Sequence, residues 1–300
     1  MKVISFLKHS LKIIPLFLLG GCSAVQVVNS VSKIYPAEIR KDIQFDQHPR
    51  LKYDLYLPTS PHDDLQSTPV VVFFYGGSWN RGDKSEYEFV GRRLASLGYI
   101  TAVANYRLYP EVRYPDFLED GAKSIVHLKT ELAQSRYRHL RPAEHFVLMG
   151  HSAGAYNAAM LALDPRWLQK ADGASEVNIR GFIGLAGAYN IYPIGDTDVQ
   201  PVFHHPDYPP QSQPIQFANN INLPQALLLS PESDTLVSIE RNSKALHQAL
   251  LAAGNQSTMQ SVAGTDHVTL IGTLSPLLFF KGSSVRPIDE FLQQLFTVGS

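Results

Sequence analysis

The strongest constraint on the fold is a serine between two glycines, Gly-His-Ser-Ala-Gly at residues 150–154. An apolar run at residues 146–149 precedes it and an alanine-rich helical pattern follows, which predicts a strand, a tight turn and a helix. Flanking glycines suit so sharp a turn because a Cβ there would collide with the strand and the helix. The pattern therefore predicts that Ser152 stands clear of a sheet edge, with helical N–H groups beside its oxygen.

The pentapeptide alone is weak evidence for this interpretation. Three fixed glycine and serine positions match by chance in about one chain in ten of this length. A structural glycine-serine turn is the alternative. The predicted strand and helix on either side, together with partner residues elsewhere in the chain, favour a nucleophilic serine.

The composition is that of an ordinary globular protein. The 300 residues are 44% hydrophobic and 18% charged, enough for one large α/β domain or two small ones. The formal net charge of −1 gives no overall field that nucleic acid would recognise, so nucleic-acid binding is not expected. One cysteine excludes an intramolecular disulfide.

Residues 1–22 have the pattern of an export signal. Lysines at positions 2, 8 and 12 accompany a short apolar run that is broken by proline and glycine and ends at Leu19-Gly20-Gly21-Cys22. The run is too short to span a bilayer comfortably. Its ending resembles the bacterial lipobox, in which the cysteine becomes the lipidated first residue of the mature protein. A plain secretory signal is the alternative.

The lipobox resemblance implies an exported protein anchored to a membrane through Cys22. The residue after the cysteine is Ser23 rather than an aspartate. A serine at this position is similar to lipoproteins that are sorted to an outer membrane. Residues 23–42 are mixed and polar, and we expect a tether with little fixed structure there.

Apolar segments alternate with helical patterns along the rest of the chain. Residues 43–57 predict an antiparallel pair, and the run at residues 70–75 predicts a strand buried on both faces. Further strands are predicted at residues 99–104, 182–185, 225–229 and 258–262, and helices at residues 84–97, 116–133, 239–253 and 288–296. This order predicts a mostly parallel sheet with helices on both faces. The proline-rich residues 187–222 interrupt it and predict a cap or lid insertion beside the site.

A serine nucleophile needs a base, and the base needs a carboxylate that fixes its tautomer. His267 follows the last predicted strand and is the expected base, because the other late histidines lie in the helix at residues 239–253 or in the insertion. Asp234 follows the strand at residues 225–229 and is the expected acid, although it could merely cap a helix. Glu232 is the alternative acid. Asp266 is disfavoured because a residue next to the histidine rarely points back at its ring.

The negative charge that develops on an attacked carbonyl oxygen needs donors, each contributing about 3 kcal/mol. The N–H of Ala153 is one expected donor. Gly77, with Ser78 as its neighbour, is the other, because paired glycines after a strand let backbone amides approach a ligand. A simple tight turn is the alternative. Trp79 and Tyr106 lie on loops near the expected mouth and are the expected substrate contacts.

Three segments together resemble a known family. They are Phe-Phe-Tyr-Gly-Gly-Ser-Trp at residues 73–79, Asn-Tyr-Arg-Leu-Tyr-Pro-Glu at residues 105–111 with Pro115 and Asp120 downstream, and the pentapeptide at residues 150–154. They are similar to α/β-hydrolases of the esterase/lipase group, which includes hormone-sensitive-lipase-like and feruloyl-esterase-like carboxylesterases. The family pattern has His-Gly-Gly-Gly at the oxyanion loop, whereas this chain has tyrosine and serine at the first and last of those positions.

The resemblance covers residues 43–298 and implies a carboxylesterase that needs no cofactor and acts on a small-molecule ester. It leaves the acyl group, the alcohol and the oligomeric state open. An amidase or peptidase with the same three residues is the alternative enzyme, and a lipoprotein that kept the fold without activity is the non-enzymatic alternative. A metal site is not expected, because His204, His205 and Asp207 lack a metal-ligand spacing.

Overall fold

The computed structural model describes residues 21–62, 65–171, 177–278 and 280–297, and for residues 21–23 it describes the backbone alone. Most of the predicted export signal, residues 1–20, lies outside the described residues, as does the side chain of Cys22. Among the helices of the described part, none combines the length and apolar character needed to cross a bilayer.

The described residues form one eight-stranded sheet. In chain order the strands are β1 (Glu38–Gln44), β2 (Lys52–Leu57), β3 (Thr68–Phe74), β4 (Ile100–Ala104), β5 (Pro142–His151), β6 (Asn178–Leu185), β7 (Gln225–Pro231) and β8 (Ser257–Val262). They lie in the order β1-β2-β4-β3-β5-β6-β7-β8. β2 pairs antiparallel with β1 and β4, and every other pair is parallel. The mostly parallel sheet predicted from the sequence is confirmed.

Helices cover both faces of this sheet. They are α1 (Gly21–Val31), α2 (Glu88–Ser96), α3 (Asp116–Leu132), α4 (Ala153–Leu163), α5 (Arg166–Lys170), α6 (Ala245–Ala252), α7 (His267–Gly272) and α8 (Val285–Phe296). Phe73 of β3 contacts the ring of Tyr87, just before α2, whereas Phe74 lies against Gly121 of α3. Successive strand side chains point to opposite faces, so the two contacts lie on opposite sides of the sheet.

The expected tether at residues 23–42 is instead structured, with α1 followed by β1. Asn29 of α1 donates to the carbonyl oxygen of Ser85 at 2.8 Å and accepts from the N–H of Phe89 at 3.1 Å. A single amide thus docks α1 onto the start of α2, and β1 adds to the sheet by pairing with β2. Hydrophobic patterning misses both features because they depend on polar and backbone hydrogen bonds.

The insertion at residues 187–222 connects β6 to β7 and has two short 3-10 turns but no strand in the described chain. In the insertion, side-chain amides accept hydrogen bonds from backbone N–H groups that a neighbouring strand would otherwise bind. Oδ1 of Asn242 accepts from the N–H groups of residues 189 and 190 at 2.7 and 2.8 Å. Oε1 of Gln213 accepts from those of residues 191 and 192 at 2.7 and 3.0 Å. The insertion is therefore a hydrogen-bonded wall.

Candidate active site

Ser152 lies at the turn between β5 and α4 in a strained conformation, with φ 54° and ψ −119°. A non-glycine residue is held in such a region only where its surroundings over-determine it. The surroundings here are tight: a Cβ on Gly150 would lie 2.1 Å from the carbonyl oxygen of Gly154, and one on Gly154 would lie 2.0 Å from that of Phe74. Both glycines of the motif are thus required by close packing, and the serine is held at the carboxyl end of β5.

His267 joins Ser152 to Asp234. Its Nε2 lies 2.9 Å from Oγ of Ser152, and its Nδ1 lies 2.7 Å from Oδ2 of Asp234. Because an ionised carboxylate can only accept, Nδ1 carries the hydrogen and Nε2 is left to accept from the serine hydroxyl. His267 is the first residue of α7 rather than part of a loop, and Asp266 caps that helix by accepting from the N–H groups of Val268 and Thr269.

The Asp234 carboxylate uses its two oxygens separately. Oδ2 faces His267, while Oδ1 accepts from the N–H groups of Leu236 and Val237 at 2.9 and 2.8 Å. Burial opposes ionisation, but the hydrogen bonds from His267 and the backbone outweigh it and lower the pKa of Asp234. Asp234 therefore both braces its own turn and orients the histidine. Glu232, the alternative acid, instead accepts from the N–H of Gly264 at 2.6 Å.

The loop after β3 runs against Ser152. A Cβ on Gly76 would lie 3.0 Å from Cβ of Ser152, and one on Gly77, at φ 132°, would lie 2.2 Å from the carbonyl oxygen of Arg81. Gly77 and Ala153 line the same cavity as Ser152. Within the described chain, no protein group accepts a hydrogen bond from either N–H. Both donors, with Ser78 beside them on the cavity wall, are free to meet a ligand oxygen.

The cavity over Ser152 has a volume of about 600 Å³, within the range of small-molecule sites. Trp79 forms part of its wall, where its indole N–H donates to Oδ1 of Asn157 at 3.0 Å and its ring meets those of Tyr156 and Phe203 edge-on. Wall residues from the insertion are Ala188, Asn190, Ile191, Pro193, Ile194, Gly195, Asp196 and Val199. The insertion thus lies beside the site.

Tyr106, expected at the mouth, is a core residue. It is fully buried, stacks on Tyr75 with ring centroids 4.7 Å apart, and donates from its hydroxyl to the Tyr75 carbonyl oxygen at 2.8 Å. Its backbone carbonyl accepts from Arg50. The loop after β4 places the Tyr106 ring beneath the loop after β3, because the Tyr106 hydroxyl donates to a buried acceptor there. The expectation that Tyr106 contacts substrate is therefore wrong.

His151, which sequence reasoning did not single out, connects the serine turn to the base. Its Nε2 lies 2.9 Å from the backbone carbonyl oxygen of His267, so Nε2 carries the hydrogen and donates. Nδ1 is buried without a partner in the described structure, and a Cβ on Gly76 would lie 3.0 Å from it. Burial, with His267 nearby, lowers the pKa of His151 to about 3. The neutral ring thus braces the backbone of the base.

We expect acid to destabilise the protein partly through His151. Its folded pKa lies below the unfolded value of about 6.5, so the unfolded chain takes up a proton that the buried ring refuses. The free energy of unfolding should fall as pH drops below about 6.5, by up to about 1.4 kcal/mol per pH unit from this group. Urea unfolding of wild type and His151→Gln at about pH 7, 6 and 5 measures it. Glutamine keeps a donor for the carbonyl of residue 267.

The difference in the pH dependence of unfolding between wild type and His151→Gln isolates the contribution of His151. Burial also lowers the pKa of His127, but that group is present in both. The wild type should lose stability more steeply on acidification than His151→Gln, and parallel slopes would contradict the assignment.

The eight-stranded sheet, the strained serine at the end of β5, and the hydrogen-bonded Asp234 and His267 that follow β7 and β8 define an α/β-hydrolase. The chain belongs to the BD-FAE family of α/β-hydrolase esterases, whose sequence profile matches residues 53–250.

Solved esterases share the fold. A truncated carbohydrate esterase from gut microbiota superposes with a TM-score of 0.71 at 15% identity, over 88% of this chain and 98% of that one. The hyperthermophilic esterase of Pyrobaculum calidifontis gives a TM-score of 0.69 at 19% identity, over 92% of each chain. At such identities the likeness concerns the fold alone.

Two kinds of curated relative are similar in sequence. The isoprenylcysteine α-carbonyl methylesterase of Arabidopsis thaliana is 32% identical over 168 residues, which are 55% of this chain and 38% of that protein. The kynurenine formamidase of Danio rerio is 26% identical over 237 residues, 78% of this chain and 76% of that protein. The chain spans less than half the length of the methylesterases that it matches.

Proposed function

We propose that this protein hydrolyses carboxylic esters through an acyl-serine intermediate on Ser152. The observation that carries the proposal is the continuous hydrogen-bonded series from Asp234 through His267 to the serine hydroxyl, at 2.7 and 2.9 Å. A hydroxyl is a weak nucleophile until a positioned base takes its proton, and this series supplies the base and the group that orients it.

In the acylation step, Oγ of Ser152 bonds to the ester carbonyl carbon while its proton passes to Nε2 of His267. The carbonyl oxygen becomes an oxyanion, and the free N–H groups of Ala153 and Gly77 stabilise it. The intermediate collapses by breaking the bond to the alcohol oxygen. His267 then donates its proton to that oxygen, and the alcohol leaves.

In the deacylation step, water takes the place of the alcohol. His267 accepts a proton from the water as its oxygen bonds to the acyl carbon, and the same two N–H groups stabilise the second oxyanion. Collapse breaks the bond to Oγ, His267 returns the proton to Ser152, and the carboxylic acid is released. Asp234 stays ionised throughout, which its lowered pKa favours.

A fluorophosphonate probe together with p-nitrophenyl esters from acetate to palmitate tests this proposal. We expect covalent labelling and ester turnover by the wild type, and neither by folded Ser152→Ala. A folded wild type that neither reacts with the probe nor hydrolyses any ester would favour a non-catalytic lipoprotein that kept the fold.

Hydrolysis of an amide on the same three residues is the second candidate. It is supported by the likeness to a kynurenine formamidase over 78% of this chain. The step differs only in that His267 protonates a departing nitrogen. Comparison of kcat/KM for an arylformamide and the matching aryl formate distinguishes the two, and a higher value for the formamide would favour the amidase.

We further propose that the protein is exported and anchored to a membrane by lipid on Cys22. The support is the lipobox-like Leu-Gly-Gly-Cys at residues 19–22. Stable anchoring takes more than one acyl chain, because a single chain binds membranes only marginally.

We expect radioactive palmitate to label the wild type in growing cells and Cys22→Ala to lose that label. Cys22→Ser is a matched control that keeps a small polar side chain and should also lose it. Equal labelling of wild type and both variants would contradict lipidation at this residue.

A further inference from the structure

Two exposed apolar side chains lie at the rim of the cavity. Leu236 is 71% exposed and Val268 is 65% exposed, and both line the cavity with Ser152 and His267. Isolated apolar residues on a surface are ordinary. Of the large exposed apolar residues in the described chain, however, these two line the cavity, whereas Ile34, Ile221 and Phe280 do not.

The backbones of both residues are positioned by the same turns as Asp234 and His267. The N–H of Leu236 donates to Oδ1 of Asp234 at 2.9 Å, and Val268 follows His267 directly, with its N–H donating to Oδ1 of Asp266 at 3.1 Å. The turns that hold the carboxylate and the imidazole therefore also hold these two apolar groups.

The chemistry decides which part of an ester lies beside them. His267 must deliver its proton to the alcohol oxygen as the alcohol leaves, so that oxygen lies within hydrogen-bond reach of Nε2. The alcohol therefore extends over the base and its neighbours, whereas the carbonyl oxygen points towards the N–H groups of Ala153 and Gly77. The residues next to the base consequently contact the alcohol rather than the acyl chain.

Two polar residues of the same cavity wall, Ser238 and Arg241, have hydrogen-bond partners within the protein. Oγ of Ser238 accepts from the N–H of Arg241 at 3.3 Å, and the guanidinium of Arg241 donates to the carbonyl oxygen of Tyr192. Leu236 and Val268 themselves offer no hydrogen bond from their side chains. An apolar alcohol gains by covering them, because water is then displaced from both surfaces.

We propose that Leu236 and Val268 form the subsite for the leaving alcohol and that the preferred substrates are esters of apolar alcohols. The proposal rests on the proposed ester hydrolysis and adds the class of alcohol. It makes no demand on the acyl chain.

Two series of esters test the subsite, one in which only the alcohol varies and one in which only the acyl group varies. In the first, the acyl group is acetate and the alcohol grows from methyl to hexyl; in the second, the alcohol is methyl and the acyl group grows from acetate to hexanoate. For the wild type we expect the ratio of kcat/KM for hexyl over methyl acetate to be well above one. Leu236→Ser and Val268→Ser should each lower this ratio by about tenfold, the lower end of what an apolar contact contributes to specificity.

Ile221→Ser is the matched control, because Ile221 is 79% exposed and lies outside the cavity wall. It should keep the wild-type hexyl-to-methyl ratio. The acyl series should give the same hexanoate-to-acetate ratio in the wild type and in both subsite variants. Thermal unfolding of each variant confirms that the folded proteins are compared.

An unchanged alcohol ratio in both subsite variants would overturn the proposal, and so would a loss confined to the acyl series. A wild type that hydrolyses methyl and hexyl acetate equally well would overturn the subsite and leave ester hydrolysis standing. A wild type that hydrolyses no ester and resists the fluorophosphonate probe would overturn the proposed function and the subsite together.

Discussion

Ser152→Ala and His267→Ala should each lower kcat for ester hydrolysis by about a millionfold. In the proposed mechanism the serine hydroxyl supplies the attacking oxygen, and Nε2 of His267, 2.9 Å away, takes its proton. Without either one no acyl-enzyme forms. The activity that remains should be roughly a thousandfold above the uncatalysed reaction, because the N–H groups of Ala153 and Gly77 and the cavity are untouched.

The double variant Ser152→Ala/His267→Ala should be no slower than either single variant, because the two residues act as one unit. Single-turnover and steady-state kinetics of all three proteins, each checked for folding by circular dichroism, measure this. Additive losses would mean that the residues contribute independently. A folded His267→Ala that stays active would refute the mechanism.

Asp234→Asn should lower kcat by about ten-thousandfold with little change in fold. The reason lies in the two oxygens of the carboxylate. Oδ1 accepts from the N–H groups of Leu236 and Val237, so an asparagine would keep its own oxygen there and turn its NH₂ towards Nδ1 of His267. Two donors cannot face each other, so the ring would carry its hydrogen on Nε2 and could not accept from the serine.

Glu232→Gln is the matched control for this substitution. It also exchanges a carboxylate for an amide in the turn after β7, but its side chain accepts from the N–H of Gly264 rather than from the base. We expect Glu232→Gln to retain most of the wild-type kcat. Retained activity in Asp234→Asn together with a large loss in Glu232→Gln would reverse the assignment of the acid.

The sequence predicts what depends on local pattern and on topology. Gly150 and Gly154 indicate the serine turn because no other residue fits where a Cβ would meet backbone at 2.1 and 2.0 Å. The parallel sheet brings the ends of β7 and β8 to the same edge as Ser152. Topology alone therefore predicts that Asp234 and His267 lie near the serine.

What the sequence misses depends on single polar partners that lie far away along the chain. Tyr106 resembles a surface aromatic on a loop until its hydroxyl finds the buried carbonyl of Tyr75. Asn29 looks like one more polar residue until its amide meets both Ser85 and Phe89. His151 occupies the variable position of the serine motif, and only the fold brings it to the carbonyl of His267.

The hydrogen bonds that dock α1 through Asn29 have a consequence for how this protein would be held at a membrane surface. Asn29 holds α1 to the short turn at Lys84–Tyr87, and Tyr87 of that turn lines the cavity. Asn29 lies seven positions after Cys22, which is about 10 Å of helix. With the proposed lipid on Cys22, the cavity would stay near the bilayer surface, because residues 22–29 are helical rather than an extended tether. Esters at the bilayer surface would then be the ones nearest the site.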